Sequence, residues 1–129
     1  LVDALLRPTR IYCRAVLAAL EGGGIKAMCH VTGGGLVGNL PRVLPDARGV
    51  ELDARNWPRP PIFDLIARLG DVPEDEMRRA FNLGLGFVVV SEPTRAEAIL
   101  DALRQHGERA WRVGSVVATP PGGERVRFV

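Results

Sequence analysis

Two glycine triplets confine one short apolar stretch: Gly22-Gly23-Gly24 comes before it and Gly33-Gly34-Gly35 after it. Glycine at that density ends regular structure, because a residue without Cβ adopts left-handed and turn conformations freely. The stretch between the triplets, Ile25–Val31, is short and apolar and reads as a strand. Before it, Ile11, Ala15, Val16, Ala18, Ala19 and Leu20 recur at helical spacing, with Thr9 as the expected cap and Pro8 separating off the apolar start. After it, Leu36, Val37, Leu40, Val43 and Leu44 read as a helix that Pro41 interrupts or bends. A strand that passes through three glycines into a helix start lets backbone approach a ligand closely and offers it unpaired amides. That combination favours a phosphate or carboxylate. The same residues also suit a tight turn with no ligand, and they match neither the P-loop nor the dinucleotide fingerprint.

The rest of the chain continues the alternation. Gly49–Ala54 alternates apolar and polar residues as a strand does, and Asn56–Pro61 is an extended connector with Trp57 and three prolines. Ile62–Leu69 and Pro73–Ala80 read as short helices, the second with Glu74, Asp75 and Glu76 in its first turn, where the helix dipole favours them. Leu83–Val90 reads as a strand, Thr94–Gln105 as a helix ended by Gly107, and Ala110–Ala118 as a strand. Pro120–Gly123 reads as a turn from which Arg125–Val129 pairs back as a hairpin. The fold expected is a single α/β (α+β) domain, a mixed sheet layered with helices. A right-handed crossover is expected for the later strand–helix–strand unit if its strands are parallel neighbours.

Composition narrows the function. A chain of 129 residues and 47% hydrophobic content is one globular domain. Its 17 basic and 15 acidic residues leave a formal charge of +2, and aromatics are 5%, so neither a nucleic-acid partner nor a stacking surface for single strands is expected. Lys26 is the sole lysine among the basic residues. Cys13 and Cys29 make no disulfide framework, which suits a reducing, cytoplasmic compartment. No apolar run is long enough to span a membrane, no signal peptide is visible, and no His, Cys, Asp or Glu set has metal-ligand spacing. The start at Leu1, without a methionine, suggests part of something larger.

His30 stands just ahead of the second triplet, where an imidazole can act as a donor or acid beside a bound anion, or can simply bond to backbone. Lys26 is expected on the opposite strand face and is not paired with it. Asn82, Gly84 and Gly86 form a second glycine-rich element. Glycines on alternate positions leave one face bare, so another backbone or a ligand should lie there. Arg10 and Arg42 each stand near a glycine or proline element and are candidates to meet an anion. No nucleophile–base pair and no acidic cluster for magnesium can be argued from spacing.

Six blocks then occur in order: Pro8-Thr9-Arg10-Ile11-Tyr12; His30-Val31-Thr32-Gly33-Gly34-Gly35-Leu36; Asn39-Leu40-Pro41-Arg42-Val43-Leu44-Pro45; Trp57 with Pro60-Pro61-Ile62-Phe63; Met77 with Phe81-Asn82, Gly84 and Gly86; and Trp111-Arg112-Val113-Gly114. Together they resemble the C-terminal domain of the phosphoribosylformylglycinamidine cyclo-ligase (aminoimidazole ribonucleotide synthetase) family, over Leu5 to about Val117. The departures, at Cys29, Val31 and Leu83, are changes of side-chain volume.

The resemblance implies ATP-dependent closure of formylglycinamidine ribonucleotide to aminoimidazole ribonucleotide in purine synthesis. It implies that residues 1–129 are the substrate-binding half and are inactive alone, with ATP and Mg2+ held mainly by an N-terminal domain. It implies that Thr32, Gly33, Gly34 and Gly35 cradle the substrate phosphate, that His30 stands at the cleft as a catalytic residue or contact, and that Asn82 and Gly84 line it. The partners implied are a phosphorylated small molecule, the N-terminal domain and, for the whole enzyme, a second copy. Alternatives are a kinase-type or selenophosphate-synthetase-type relative, and a ferredoxin-like ligand-sensing module suggested by the unit from Leu83 to Ala118.

Overall fold

A computed structural model describes all 129 residues. The chain begins with a short helix, α1 (Val2–Leu5), and continues through α2 (Cys13–Glu21), β1 (Ile25–His30) and α3 (Gly35–Asn39). A 3-10 turn at Leu40–Val43 leads to β2 (Arg48–Leu52), then α4 (Pro61–Gly70), α5 (Glu74–Ala80) and β3 (Phe87–Ser91). Last come α6 (Ala96–Gln105), β4 (Gly114–Ala118) and β5 (Val126–Phe128). No helix is long and apolar enough to cross a membrane.

Local chemistry accounts for many of these boundaries. Pro41 has no amide to give to Val37, so α3 tightens into the 3-10 turn at that point. Acidic residues fill the first turn of α5, and Arg78 and Arg79 the last, each suiting the helix dipole. Beyond α6, Gly107 takes φ +84; its amide donates to Arg104 and the Glu108 amide to Leu103, which satisfies two orphan carbonyls.

The α/β class holds, but the strands divide between two sheets. In the first, β1 and β3 pair antiparallel, with Cys29 opposite Val88 and His30 opposite Phe87. The second has the order β4-β2-β5 and is mixed: β4 runs antiparallel to β2, and β5 parallel to it. The core fills the space between, from Cys29 and Val31 of one sheet, through Leu36, Leu40 and Leu44, to Val50, Leu52 and Val126 of the other. Helix α2 packs on α6, and α3 on α5.

Several expectations are corrected. Leu83–Gly86 is a turn, not strand: Leu83 has φ +51 and Gly84 φ +103, and pairing starts only at Phe87. Residues 110–113 precede β4, which starts at Gly114. Because β3 and β4 belong to different sheets, the unit around α6 is no crossover, and the ferredoxin-like alternative loses its basis. The C-terminal strand makes no hairpin with β4. The turn after Ala118 carries the chain across the start of β2, and the Arg125 guanidinium holds it there through the carbonyls of Leu44, Pro45 and Arg48. Thr9 caps nothing: Tyr12 occupies the cap position of α2 without a side-chain bond. Lys26 is exposed on β1, as are Met28 and His30; it stands four positions before His30, so no face divides them.

Candidate functional site

The end of β1 and the start of β3 form one end of the first sheet. The Val31 amide donates to the Gly86 carbonyl at 2.9 Å, so the Thr32–Gly35 loop and the Asn82–Gly86 turn adjoin. Val31 is buried, Thr32, Gly33 and Gly34 are exposed, and Gly35 and Leu36 are buried again.

The three loop glycines serve different ends. At Gly35, with φ +58, a Cβ would collide with the Arg78 carbonyl and come within 2.7 Å of the Phe81 carbonyl, so glycine is what lets α3 pack on α5. Gly34 has φ +99, a conformation side chains resist. Gly33 has neither constraint: its φ is not in the left-handed range and a Cβ there would meet nothing within 4 Å. Packing and backbone geometry leave the glycine at that position unexplained, whereas a ligand lying on the loop would account for it.

Asn39 holds this loop from beneath. It is buried, and its carboxamide nitrogen donates to the carbonyls of Thr32 at 3.2 Å, Gly33 at 3.2 Å and Gly35 at 2.8 Å. The sequence reading missed Asn39 as a functional candidate. The available signal was a polar residue at a helical position between Leu36, Leu40 and Val43, where an apolar one was due.

His30 is exposed beside two aromatic rings, with centroids 5.9 Å from Tyr12 edge-on and 6.1 Å from Phe87 stacked. No side-chain hydrogen bond engages its ring nitrogens within the chain. Exposure alternates from His30 through buried Val31 to Thr32, so the imidazole and the Thr32 side chain lie on the same side of the extended chain. Burial pushes the Tyr12 phenol above its ordinary pKa, and the Glu108 carboxylate adds to the shift.

The second glycine element is filled by the chain itself. A Cβ on Gly84 would stand 2.7 Å from the Pro60 ring and 3.2 Å from the Pro58 carbonyl, and one on Gly86 would overlap the Tyr12 hydroxyl. The Asn82 side-chain oxygen accepts the Gly84 amide at 3.0 Å, and the buried Trp57 indole donates to the Leu83 carbonyl at 3.0 Å. The proline-rich connector therefore braces this turn. Gly84 also lines an open cavity of about 600 Å3, together with Arg7, Arg10, Tyr12, Phe87 and Trp111; Asn82 does not reach it.

Of the two anion candidates among the arginines, Arg10 is engaged, paired with Glu108 at 2.7 Å and bonded to the Gly107 carbonyl at 2.8 Å. Arg42 stands in no ion pair; its charge opposes the burial that raises the Cys29 thiol. No three His, Cys, Asp or Glu side chains converge on a point that could hold a metal ion.

The geometry defines a class: an α/β domain with an exposed glycine loop held by a buried asparagine, beside a partly aromatic cavity. The family described as AIR synthase related protein, C-terminal domain, matches residues 1–127, and the chain belongs to that family. A phosphoribosylformylglycinamidine cyclo-ligase from Anaeromyxobacter dehalogenans is 54% identical over 122 residues, covering 95% of this chain and 35% of the relative. One from Sorangium cellulosum is 49% identical over 130 residues, covering 98% and 37%. The trifunctional purine biosynthetic protein adenosine-3 of Homo sapiens is 48% identical over 125 residues, covering 97% of this chain and 12% of that protein. The chain thus spans about a third of the length of the bacterial relatives it matches.

Proposed function

We propose that this chain is the substrate-binding part of an ATP-dependent cyclo-ligase that converts formylglycinamidine ribonucleotide to aminoimidazole ribonucleotide in the cytoplasm. The observation that carries this reading is identity of about half, across nearly the whole chain, to relatives bearing the cyclo-ligase name. In the reaction, ATP phosphorylates the formyl oxygen, an internal amine attacks the activated carbon, and the C–O bond breaks to release phosphate. ATP and its Mg2+ belong mainly to an N-terminal domain of the same polypeptide. That domain is this chain's partner, and the whole enzyme is a homodimer.

Within this reading, Thr32, Gly33, Gly34 and Gly35 receive the ribonucleotide phosphate. The amides of Gly33 and Gly34 donate to no acceptor in the chain, which leaves them for an anion. Open space over Gly33 lets the phosphate approach. His30, exposed on the same side as Thr32, contacts the substrate or moves a proton. Gly84 lines the adjoining cavity. Asn82 shapes the turn that carries Gly84, and its cleft role is indirect.

Steady-state kinetics of the complete polypeptide carrying Gly33→Ala tests the assignment. The expected result is a KM for the ribonucleotide raised about tenfold or more, with the melting temperature unchanged, because the new methyl occupies ligand space and touches no protein atom. An unchanged KM overturns the phosphate assignment. No ring closure by the complete wild-type polypeptide overturns the proposed activity. Full activity in His30→Ala removes His30 from the mechanism and leaves the loop assignment standing.

A further inference from the structure

Each sheet ends on a strand with one free edge: β3 bonds only to β1, and β4 only to β2. Antiparallel pairing alternates, so every second residue of such a strand turns its N–H and C=O away from the partner. The Val31 amide meets the Gly86 carbonyl, and beyond a bulge the Glu92 amide meets the Gly24 carbonyl. That phase turns the N–H and C=O groups of Phe87, Val89 and Ser91 away from β1. The Asp53 amide meets the Val113 carbonyl, and the Thr119 amide the Ala47 carbonyl. That phase turns the groups of Gly114, Val116 and Ala118 away from β2.

The two edges border one open cavity of about 360 Å3, which Val89 and Ser91 of β3 line together with Gly114 and Val116 of β4. Val88 and Val90, on the other face of β3, line it as well. The space thus offers main-chain donors and acceptors from two strands and apolar side chains on both faces. Charge separates these edges from the outer ones. A free edge is ordinarily blunted by charged residues or proline. Lys26 stands on β1 and Arg127 on β5, the strands at the far ends of the two sheets. Phe87–Ser91 and Gly114–Ala118 contain neither charge nor proline. Val116 is left 42% exposed although Val50, its partner across the pair, is buried.

We infer that this cavity is a strand-addition site: an extended apolar segment from the part of the polypeptide outside residues 1–129 lies between β3 and β4 and joins the two sheets into one. The relatives provide length for it, since this chain spans only 35% and 37% of two bacterial cyclo-ligases. The segment bonds through its own backbone to Val89 and Ser91 on one side and to Gly114 and Val116 on the other. Both its faces meet apolar side chains, so it is a continuous apolar run of about five or six residues and not an alternating one. The inference rests on the reading of this chain as one part of a longer cyclo-ligase, and it names the surface that the remainder engages.

The test is hydrogen exchange of the complete polypeptide, read residue by residue, with nuclear Overhauser contacts of the Val89 and Val116 methyls to identify the neighbour. The amides of Val89, Ser91, Gly114 and Val116 are expected to exchange about 100-fold or more slowly than open chain, as do those of Val88 and Val90, which bond to β1. The methyl contacts are expected to reach residues outside 1–129 of the same copy. Open-chain exchange at the four amides overturns the inference. So do direct contacts between Val89 and Val116, which mean that the edges close on each other, and contacts found only between differently labelled copies, which mean that a second copy fills the space. In Val116→Lys the buried ammonium is expected to expel the segment, so that Val89 and Ser91 exchange about tenfold or more faster while Val88 and Val90 do not. Unchanged exchange at Val89 overturns the inference, and the wild type decides alone if this variant does not fold. Ring closure is assayed separately: slow exchange without ring closure overturns the proposed activity and leaves the strand-addition site standing, and ring closure with open-chain exchange does the reverse.

Discussion

The Thr32–Gly35 loop and the Asn82–Gly86 turn lie side by side at one end of the β1–β3 pair, and both are rich in glycine. Their surroundings differ. In the turn, each bare glycine face is covered by the chain: Pro58 and Pro60 lie against Gly84 and the Tyr12 hydroxyl against Gly86. In the loop, Gly35 is covered in the same way by the end of α5, but Gly33 faces open space. A glycine that packing requires and a glycine that packing does not require look identical in a sequence. What separates them is what a Cβ would meet.

The comparison can be broken most forcefully at Gly35. In Gly35→Ala the new methyl meets two backbone carbonyls that cannot swing aside, at a residue already left-handed. The expected loss is roughly 3 kcal/mol or more, as overpacking and backbone strain add. The midpoint of urea unfolding measures it, and a loss under about 1 kcal/mol would mean that α3 and α5 are not held as closely as described.

A smaller loss is expected at Gly86, where the obstacle is the end of a side chain. Gly86→Ala should cost about 1–2 kcal/mol as the Tyr12 ring moves. Adding Tyr12→Phe should return part of that loss, because the two sites touch and their effects do not simply add. Additive losses in this double-mutant cycle would show that Tyr12 does not fill the glycine face.

The contrast predicts least for stability at Gly33. Gly33→Ala should stay within about 0.5 kcal/mol of wild type, as an open surface position does, while weakening the ribonucleotide as set out above. A large loss of stability would place Gly33 with the packing glycines and remove the distinction.

Two titrations bear on the flanks of the same region. Tyr12 has its pKa raised in the folded state, so stability is expected to be flat below the ordinary phenol value of 10.0 and to fall as pH rises past it. Absorbance of tyrosinate against pH, compared between wild type and Tyr12→Phe, checks this. Asp53 has its pKa lowered to about 2 by the Arg55 side chain and amide, so its contribution is present above 3.8 and is lost as pH falls from there toward about 2. Both partners are at the surface, and Arg55→Ala should flatten the acid limb only slightly.

Much of the local order was legible in the residues. The glycine triplets bound β1, Pro41 turns α3 into a 3-10 segment, and Gly107 ends α6, because each effect is a backbone property of one residue. The turn at Thr32–Gly35 between β1 and α3, with His30 at the end of the strand, was also readable. Asn39 was harder to see, since its role depends on three carbonyls gathered by the fold, and an asparagine inside an apolar pattern declares only that some partner exists. Gly84 and Gly86 were read correctly as needing a neighbour, but that the neighbours are Pro58, Pro60 and Tyr12 is a matter of distant segments meeting.

The sequence by itself determined the α/β class, the positions of most helices and strands and the family, because these follow from periodicity, turn residues and ordered blocks of local chemistry. Only the tertiary structure decided that the strands form two sheets, that β5 joins β2 in parallel, and that Gly33 of the loop is left open while Gly35 is packed against α5. Strand partners and the space around a Cβ are set by residues far apart in the chain. No local pattern encodes which of them arrive.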